Sequence, residues 1–491
     1  MNIPDDLRRA ARSIFDATLA DMDARAAVRR ALDFTDGRLT ILDTEFDLDA
    51  QPLAIYCVAA GKAAGAMAAA VDEVLGDALT GGVVSAPSAA GVVSAPRAGV
   101  ALSARWRVYA GGHPLPDEAS TDAARAAFAL LREADAAAMM RAEADTGARA
   151  EADDNEARVE IDENETRSLV IFLISGGGSA MLEWPRDESI TLAELRVANR
   201  VLVTCGAGID EINCVRRALS TVKGGGLSAR ASRAAQISLI ISDTKPGEPH
   251  NVASGPTYPF PHDPHDPAEV IKRYRLAARL PASILRAVMQ PPQAHTESGR
   301  ATALRRHHVL LDNERALVRA AEAAAALGFA VEIARDISDQ EVEAGAAQLV
   351  ARLFDLRGRE GGRPACLISG GEFSCPVRGA GVGGRNAETA LRCAFEIEAR
   401  AARSPSATAA APRVVALSAG TDGIDGNSPA AGALADDTTL ARARLRSLDA
   451  RKFLAASDAH TLFAALGDAV NTGATGTNVR DLRLLLSGNQ T

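Results

Sequence analysis

The segment Ser168–Ser179, SLVIFLISGGGS, decides the fold, because a long apolar run passes directly into three glycines. An unbroken apolar run of this length is typical of a strand that is buried on both faces of a parallel sheet. Successive glycines after such a strand can point their N–H groups at an anion. A tight strand exit that requires positive φ explains the glycines equally well, so both interpretations stay open.

Four more short apolar runs end in small or polar loops: Pro52–Ala60, Gln236–Ser242, Ala365–Ser369 and Arg413–Ser418. Helical patterns lie between several of them, which favours a doubly wound α/β fold with a Rossmann-like larger domain. Ligands of such folds bind at the carboxyl ends of the strands. The loops that follow the five runs are therefore the first candidates for a functional site.

The composition is that of a globular protein, with 491 residues, 47% hydrophobic and 24% charged. We place two domains at 1–300 and 301–491. Residues 133–167 hold twelve acidic residues and four arginines, so most of the net charge of -9 lies there, and we interpret them as a solvated insertion. No basic cluster, apolar leader or membrane-length apolar run is present. We therefore expect a cytoplasmic protein that binds neither nucleic acid nor membranes.

Two lysines border glycines. Lys62 follows Gly61 after the first apolar run and is either a phosphate ligand or a surface cation. Lys223 precedes Gly224 and Gly225, where the end of a helix also accounts for a cation followed by glycine.

Two further charged residues lie at the ends of predicted elements. Asp243 ends an apolar run, where a carboxylate can bind Mg²⁺ or accept a hydroxyl proton, or simply form a turn. Arg385 opens a helical stretch, where a guanidinium beside free N–H groups suits phosphate or carboxylate.

Several established motifs are missing. The Walker A pattern fails because Ala63 follows Lys62, and no HRD or DFG set of a protein kinase is present. Gly379–Gly384 matches GxGxxG only formally, since no clear strand precedes it. The cysteines show neither CxxC pairs nor zinc spacing.

Taken together, the motifs of the chain resemble those of the glycerate 2-kinase family. The matching segments are AAGKAAGAM (59–67), GGHPLPDEAS (111–120), ISGGGSA (174–180), INCVRRALSTVKGGGL (212–227), ISDTKPGEPHNVASGPT (241–257), GGRNAE (383–388), SAGTDGIDG (418–426) and TGATGTNVRDL (472–482). The resemblance covers nearly the whole chain outside 133–167. It implies a larger N-terminal domain, a C-terminal MOFRL domain and an active site in the cleft between them.

The resemblance also implies an activity, namely transfer of the γ-phosphoryl group of ATP to the 2-hydroxyl of D-glycerate with the help of Mg²⁺, by a monomer or homodimer. The catalytic residues implied or expected are Lys62, Arg385 and Asp243, with Asp243 also the metal ligand. ATP is expected to contact Ser175, Gly176, Gly177, Gly178, Ser179, Lys223, Gly224 and Gly225. Substrate is expected to contact Asn251, Ser254, Asn386, Glu388 and Asp422. The alternatives are an NAD(P)H-dependent hydroxypyruvate reductase, which would need a better dinucleotide fingerprint, and a non-catalytic sensor of sugar acids or nucleotides.

Overall fold

The computed structural model describes residues 6–87, 102–149, 167–259, 263–290, 304–403 and 412–488. The chain divides into two compact units. The first unit is Ala24–Leu310, and the second combines the residues up to Asp23 with Leu311–Thr491. The predicted α/β class is confirmed in both units.

The strands are numbered along the chain. They are β1 (Leu32–Thr35), β2 (Arg38–Ile41), β3 (Thr44–Asp47), β4 (Ala54–Ala60), β5 (Leu79–Ala86), β6 (Trp106–Ala110), β7 (Ser168–Ser175), β8 (Ala235–Ile241), β9 (Arg305–Leu311), β10 (Ala330–Ile333), β11 (Ala365–Ser369), β12 (Arg413–Gly420), β13 (Gly432–Asp436), β14 (Ala469–Val470) and β15 (Asp481–Gly488).

The α-helices are numbered in the same way. They are α1 (Leu7–Asp21), α2 (Ala24–Ala31), α3 (Ala64–Leu75), α4 (Glu118–Arg149), α5 (Gly178–Met181), α6 (Leu192–Val203), α7 (Ile209–Leu219), α8 (Pro267–Arg273), α9 (Ala282–Met289), α10 (Asn313–Ala326), α11 (Val342–Arg359), α12 (Arg385–Arg403), α13 (Thr439–Leu445), α14 (Ala450–Ala455) and α15 (Ala459–Leu466).

The main sheet of the first unit has the strand order β6-β5-β4-β7-β8-β9, beside a small antiparallel meander β1-β2-β3. The pairs from β6 to β8 are parallel. The chain builds outward from β4 to β6 and then returns to the other side of β4 with β7. Strand order therefore reverses between β4 and β7, which is the position where doubly wound sheets bind ligands.

Both faces of this sheet are covered. Tyr56 and Val58 of β4 pack with Ala127 and Leu131 of α4, while Cys57 on the opposite face is also fully buried. This explains why the strands lack polar alternation. A fully buried side chain such as Phe172 of β7 contributes about 1.5–3 kcal/mol.

The acidic stretch 133–167 differs from the expected solvated insertion in its first half. Helix α4 continues without a break to Arg149, which suits its alanine-rich sequence. Ala134 is fully buried, and Asp135 accepts a hydrogen bond of 2.9 Å from the Arg233 N–H and pairs with its guanidinium. Residues 150–166 lie outside the described part of the chain.

The second unit is built on a mixed sheet of order β10-β11-β15-β12-β13-β14, in which only β10 and β11 are paired in parallel. Helices α1 and α10 contribute to the core on one face of it. Helices α11 and α12 contribute to the core on the other face.

Helix α1 packs with the second unit, although the sequence placed it in the first domain. Its apolar side chains Leu7, Ile14 and Phe15 share a core with Leu417 and Leu484 of β12 and β15. A helix with an apolar face can pack against either sheet, and its sequence alone does not decide between them. The rest of the predicted division, near residue 300, lies close to the observed one at Leu310.

Within the described ranges, no helix combines the length and the apolarity that crossing a membrane requires.

Candidate active site

The turn after β4 brings Lys62 to the end of β7. Gly61 has φ +124°, and a Cβ at this position would lie 2.4 Å from the carbonyl oxygen of Ser175, so only glycine fits. The Lys62 N–H donates to the Gly176 carbonyl at 2.8 Å, and the Ala63 N–H donates to Ser175 Oγ at 3.1 Å. The backbone of Lys62 is therefore fastened to the glycines that follow β7.

We call Gly176–Ser179 the glycine loop. Gly177 has φ +83° and immediately precedes the short helix α5. Within the described part of the chain, the N–H groups of Gly177, Gly178 and Ser179 donate no hydrogen bond. Such N–H groups are the donors that an anion can use.

Asp243 lies directly against the glycine loop. A Cβ on Gly176 would fall 1.9 Å from Asp243 Oδ2, so glycine leaves the space that the carboxylate occupies. The structure thus brings Lys62, the glycine loop and Asp243 together at the ends of β4, β7 and β8. No group of three or more His, Cys, Asp or Glu side chains suited to a metal occurs among the residues described.

Ser254 supports the glycine loop from a strained segment. Ala253 and Ser254 have φ of +52° and +63°, a conformation that costs about 1–3 kcal/mol for residues other than glycine. Ser254 Oγ donates to Asn213 Oδ1 at 2.9 Å and lies 3.0 Å from Ser179 Oγ. Because the Ser254 hydroxyl proton is used on Asn213, the Ser179 hydroxyl is the donor between the two serines.

The side chain of Asn251, which was expected to contact substrate, is committed elsewhere. Asn251 is 5% exposed, and its Nδ2 donates to Asp210 Oδ1 at 2.8 Å.

Lys223 is buried in an ion pair with Glu183, and both side chains are almost fully enclosed. Ser220 Oγ donates to the other carboxylate oxygen of Glu183 at 2.5 Å. Burial lowers the pKa of Lys223, and the neighbouring Glu183 carboxylate opposes that shift. The ammonium group therefore points at Glu183 and not at an open phosphate site.

Gly224 and Gly225 also differ from expectation. Their N–H groups donate to the carbonyls of Ser254 and Gly255, at 3.2 and 2.8 Å. The expected use of these N–H groups on ATP phosphate requires them to be open, and here they fasten the strained segment instead. The turn at Gly224 and Gly225 therefore holds the segment of Ser254, which in turn contacts the glycine loop.

Arg385 lies at the start of α12 in the second unit. Its Nε and Nη2 donate to the two carboxylate oxygens of Asp481 at 2.6 and 3.1 Å, and Nη2 also lies 2.9 Å from Glu372 Oε1. Burial disfavours the charge, but Asp481 and then Glu372 more than compensate and raise the pKa of Arg385. The guanidinium is therefore charged and held in one orientation.

Asp425 caps α12 from a distant loop. Its two carboxylate oxygens accept the N–H groups of Asn386 and Ala387 at 2.9 and 2.8 Å. Burial raises the pKa of Asp425 to about 6, against the lowering effect of these N–H groups. We call Arg385, Asp481, Glu372 and Asp425 the arginine centre.

The remaining expected substrate contacts of this unit have different surroundings. Asn386 is buried between Asp481 and the Ser418 hydroxyl, at 3.0 and 2.6 Å. Glu388, 2% exposed, pairs with arginines on its own helix and on the preceding loop. Asp422 is half-buried, and its Oδ1 accepts the Ile424 N–H at 3.2 Å.

Sequence reasoning missed Asp481, Glu372 and Asp425. Asp481 stands inside a quoted motif, TGATGTNVRDL, and Glu372 follows the apolar run Ala365–Ser369, so both carried a signal. Asp481 pairs with Arg385, which lies 96 positions earlier in the chain, and a motif does not reveal such a contact. The loop Gly379–Gly384 leads into α12 without a strand before it, unlike a dinucleotide fingerprint.

Comparisons with known proteins agree with the motifs. Residues 10–142 and 144–289 match the family described as Domain of unknown function (DUF4147), and residues 365–481 match the MOFRL family. The chain is 34% identical to a glycerate kinase of Homo sapiens over 98% of this chain and 93% of that protein. It is 31% identical to a D-glycerate 2-kinase of Thermotoga maritima, over 87% and 89% of the two chains. A protein of Agrobacterium vitis named putative hydroxypyruvate reductase is 36% identical, over 88% and 98%.

Among solved structures, a glycerate kinase of Thermotoga maritima superposes with a TM-score of 0.74 at 28% identity, covering 99% of this chain and 100% of that one. The fold and the paired family domains define a two-domain α/β phosphotransferase scaffold. The chain belongs to the glycerate 2-kinase family, as its motifs indicated.

Proposed function

We propose that this protein transfers the γ-phosphoryl group of ATP to the 2-hydroxyl of D-glycerate, giving 2-phosphoglycerate and ADP. The observation that carries the proposal is the junction of Lys62 with the glycine loop at the point where strand order reverses. Relatives named glycerate kinase and D-glycerate 2-kinase, which align over most of the chain, support the choice of substrate.

Lys62 and the glycine loop supply positive potential to ATP phosphate in this proposal. Phosphoryl transfer depends mainly on positioning and on neutralising charge, so donors that are already in place lower the barrier. The N–H groups of Gly177, Gly178 and Ser179 have no acceptor within the described chain. Ser254, through the Ser179 hydroxyl, keeps the loop in the conformation that presents them.

Asp243 is proposed to bind Mg²⁺ or to orient the acceptor hydroxyl. Mg²⁺ is commonly held by one or two carboxylates together with substrate phosphates, so a single carboxylate beside the glycine loop fits. When bound, the ion would neutralise phosphate charge. In Asp243→Asn, we expect a higher Mg²⁺ requirement. A Mg²⁺ dependence unchanged from the parent protein would remove Asp243 from this role.

For Arg385 we propose neutralisation of the charge on the transferring phosphoryl group. Asp481 and Glu372 fix the guanidinium by three contacts, which reduces the entropy lost when it meets an anion. Asp422, half-buried, stays a proposed substrate contact. For Asn251, Asn386 and Glu388, the observed hydrogen bonds favour positioning of the neighbouring loops.

The reductase alternative has support only from the name given to the Agrobacterium vitis relative. Hydride transfer from a nicotinamide needs a dinucleotide site, and the loop Gly379–Gly384 does not follow a strand. Kinase chemistry makes better use of the lysine, the arginine and the glycine loop.

The deciding test is a product assay with ATP, Mg²⁺ and D-glycerate, coupled through enolase, pyruvate kinase and lactate dehydrogenase. Neither phosphoenolpyruvate nor phosphoglycerate mutase is added, so NADH is oxidised only when 2-phosphoglycerate forms. Omitting enolase is the control. A signal that requires added mutase would reassign the product to 3-phosphoglycerate. NADH oxidation by this protein with hydroxypyruvate, measured without the coupling enzymes, would favour the reductase.

A further inference from the structure

The first unit contains a concave site that shares no lining residue with the glycine loop, Lys62 or Asp243. It has a volume of about 240 Å³. The side chains that matter are Phe128, Arg132, Trp184, Arg186, Glu188 and Arg230. We call it the arginine pocket.

Three arginines and one glutamate, Glu188, line the arginine pocket, and Asp187 acts on Arg186 as a second negative charge. Within the described residues, Arg132 and Arg230 form neither a hydrogen bond nor an ion pair through their side chains. Burial and then the positive charge of Arg132 lower the pKa of Arg230. The two cations repel one another, and an anion placed between them would remove that repulsion.

Two aromatic rings, Phe128 and Trp184, form one side of the pocket and support the Arg230 guanidinium. The rings of Phe128 and Trp184 stack with centroids 5.2 Å apart, and the Arg230 guanidinium lies 4.5 Å from the Phe128 centroid. The Trp184 carbonyl accepts the N–H and the hydroxyl of Thr221 at 2.9 and 3.1 Å. A guanidinium that is stacked on a ring keeps its edge N–H groups for a planar or tetrahedral anion.

We propose that the arginine pocket binds a small multivalent oxyanion, either free phosphate or a compact phosphate monoester. Arginine recognises phosphate with paired N–H donors, which suits a site where guanidinium groups converge. The volume lies below the roughly 300 Å³ from which pockets for drug-sized ligands begin, so a compact anion fits better than a whole nucleotide. This site is independent of the proposed kinase reaction.

Trp184 provides a direct readout, because the chain has two tryptophans and the other is Trp106. In a Trp106→Phe protein, the fluorescence of Trp184 is recorded during titration with inorganic phosphate and, separately, with 2-phosphoglycerate, at constant ionic strength set with KCl. We expect a saturable change. In the Arg132→Ala/Arg230→Ala variant, Kd should rise at least tenfold, while Arg107→Ala, an exposed arginine on β6, should leave it unchanged.

Tighter binding of 2-phosphoglycerate than of phosphate would identify a phosphate ester as the ligand, and equal binding would identify free phosphate. No saturable change, an equal response to KCl, or the same Kd after loss of both arginines would overturn the proposal. So would loss of the signal in Lys62→Ala, because the anion would then lie at the glycine loop. If Trp106→Phe does not fold, calorimetric titration of the parent protein against the double variant gives the same comparison. None of these readouts requires kinase activity.

Discussion

The glycine loop and the arginine centre differ in the charges that surround their functional groups. At the glycine loop, Lys62 lies among backbone N–H donors, and Asp243 is the carboxylate at its edge. At the arginine centre, Arg385 is surrounded by Asp481, Glu372 and, through its helix, Asp425. The first region gathers positive potential, whereas the second fixes one cation with several anions.

The difference teaches what each region is able to do. The N–H groups of Gly177, Gly178 and Ser179, which have no acceptor among the described residues, can bind an anion without displacing another protein group. A guanidinium held by two carboxylates has lost much of its own attraction for anions, but its position is defined to within hydrogen-bond geometry. We therefore expect the glycine loop to attract an anion more strongly, and the arginine centre to hold its guanidinium more accurately in position.

The largest expected effect follows from removing Lys62, the cation whose backbone is bonded to the glycine loop. In Lys62→Ala, we expect kcat to fall on the order of 10³-fold, or about 4 kcal/mol, because the turn after β4 loses its positive charge. The coupled assay measures it, and Lys245→Ala, an exposed lysine on the loop after β8, is the matched control. Activity within about threefold of the parent protein would exclude Lys62 from catalysis.

The buried Lys223–Glu183 pair tests whether the stability of the first unit depends on a buried ion pair. Lys223→Met leaves the Glu183 carboxylate buried without its partner and should cost about 3 kcal/mol of unfolding free energy. Both tryptophans lie in the first unit, so denaturant unfolding followed by their fluorescence reports on this unit.

The double variant Lys223→Met/Glu183→Gln sharpens that result. It should lose less stability than the sum of the single variants, because it leaves no lone buried charge. Additive losses would mean that the two side chains do not depend on one another.

At the arginine centre, Arg385→Lys keeps the charge but loses the paired hydrogen bonds to Asp481. We expect kcat to fall about 10- to 30-fold, or about 1.4–2 kcal/mol, a smaller loss than at Lys62 because a cation remains. Arg335→Lys is the control, since Arg335 also pairs with both oxygens of a carboxylate, Glu314, but is exposed. Equal activity of Arg385→Lys and the parent protein would show that precise placement is not needed.

The last prediction concerns Asp425 and the pH dependence of stability. Its folded pKa of about 6 lies above the ordinary value of 3.8, so the folded state keeps the proton to a higher pH than the unfolded chain does. The contribution of Asp425 to stability is therefore greatest below pH 4 and is lost as pH rises through about 6. A rise of about two pKa units corresponds to about 3 kcal/mol at most across this range.

Scanning calorimetry from pH 4 to pH 7 measures this contribution as the difference between the parent protein and Asp425→Asn, which does not titrate. The difference should change in favour of the Asn variant as pH rises. A difference independent of pH would show that Asp425 does not titrate in this range.

Sequence patterns predicted the parallel strands of the first unit and placed Lys62, the glycines and Asp243 at strand ends, because buried runs and the turns after them are local signals. The same reasoning was wrong for β12, which is equally apolar but pairs antiparallel with both of its neighbours. The same patterns left the partners of Lys223 and Arg385 unknown. Glu183 and Asp481 are 40 and 96 residues away from those cations, and only the packing of the fold brings them into contact. The sequence could not settle the role of Gly224 and Gly225 for a related reason. A turn and a phosphate cradle use the same residues, and only the acceptor of each N–H group distinguishes them.

The position of α1 has a consequence for synthesis of the chain. The ribosome makes this helix before any of the strands β1–β15, and β12 and β15, which cover Leu7, Ile14 and Phe15, emerge only after the whole first unit and much of the second. At about 5–20 residues per second, the apolar face of α1 waits on the order of tens of seconds for its partners. During that time it is a natural target for chaperones, and a chain that stops short of β15 would expose it permanently to quality control.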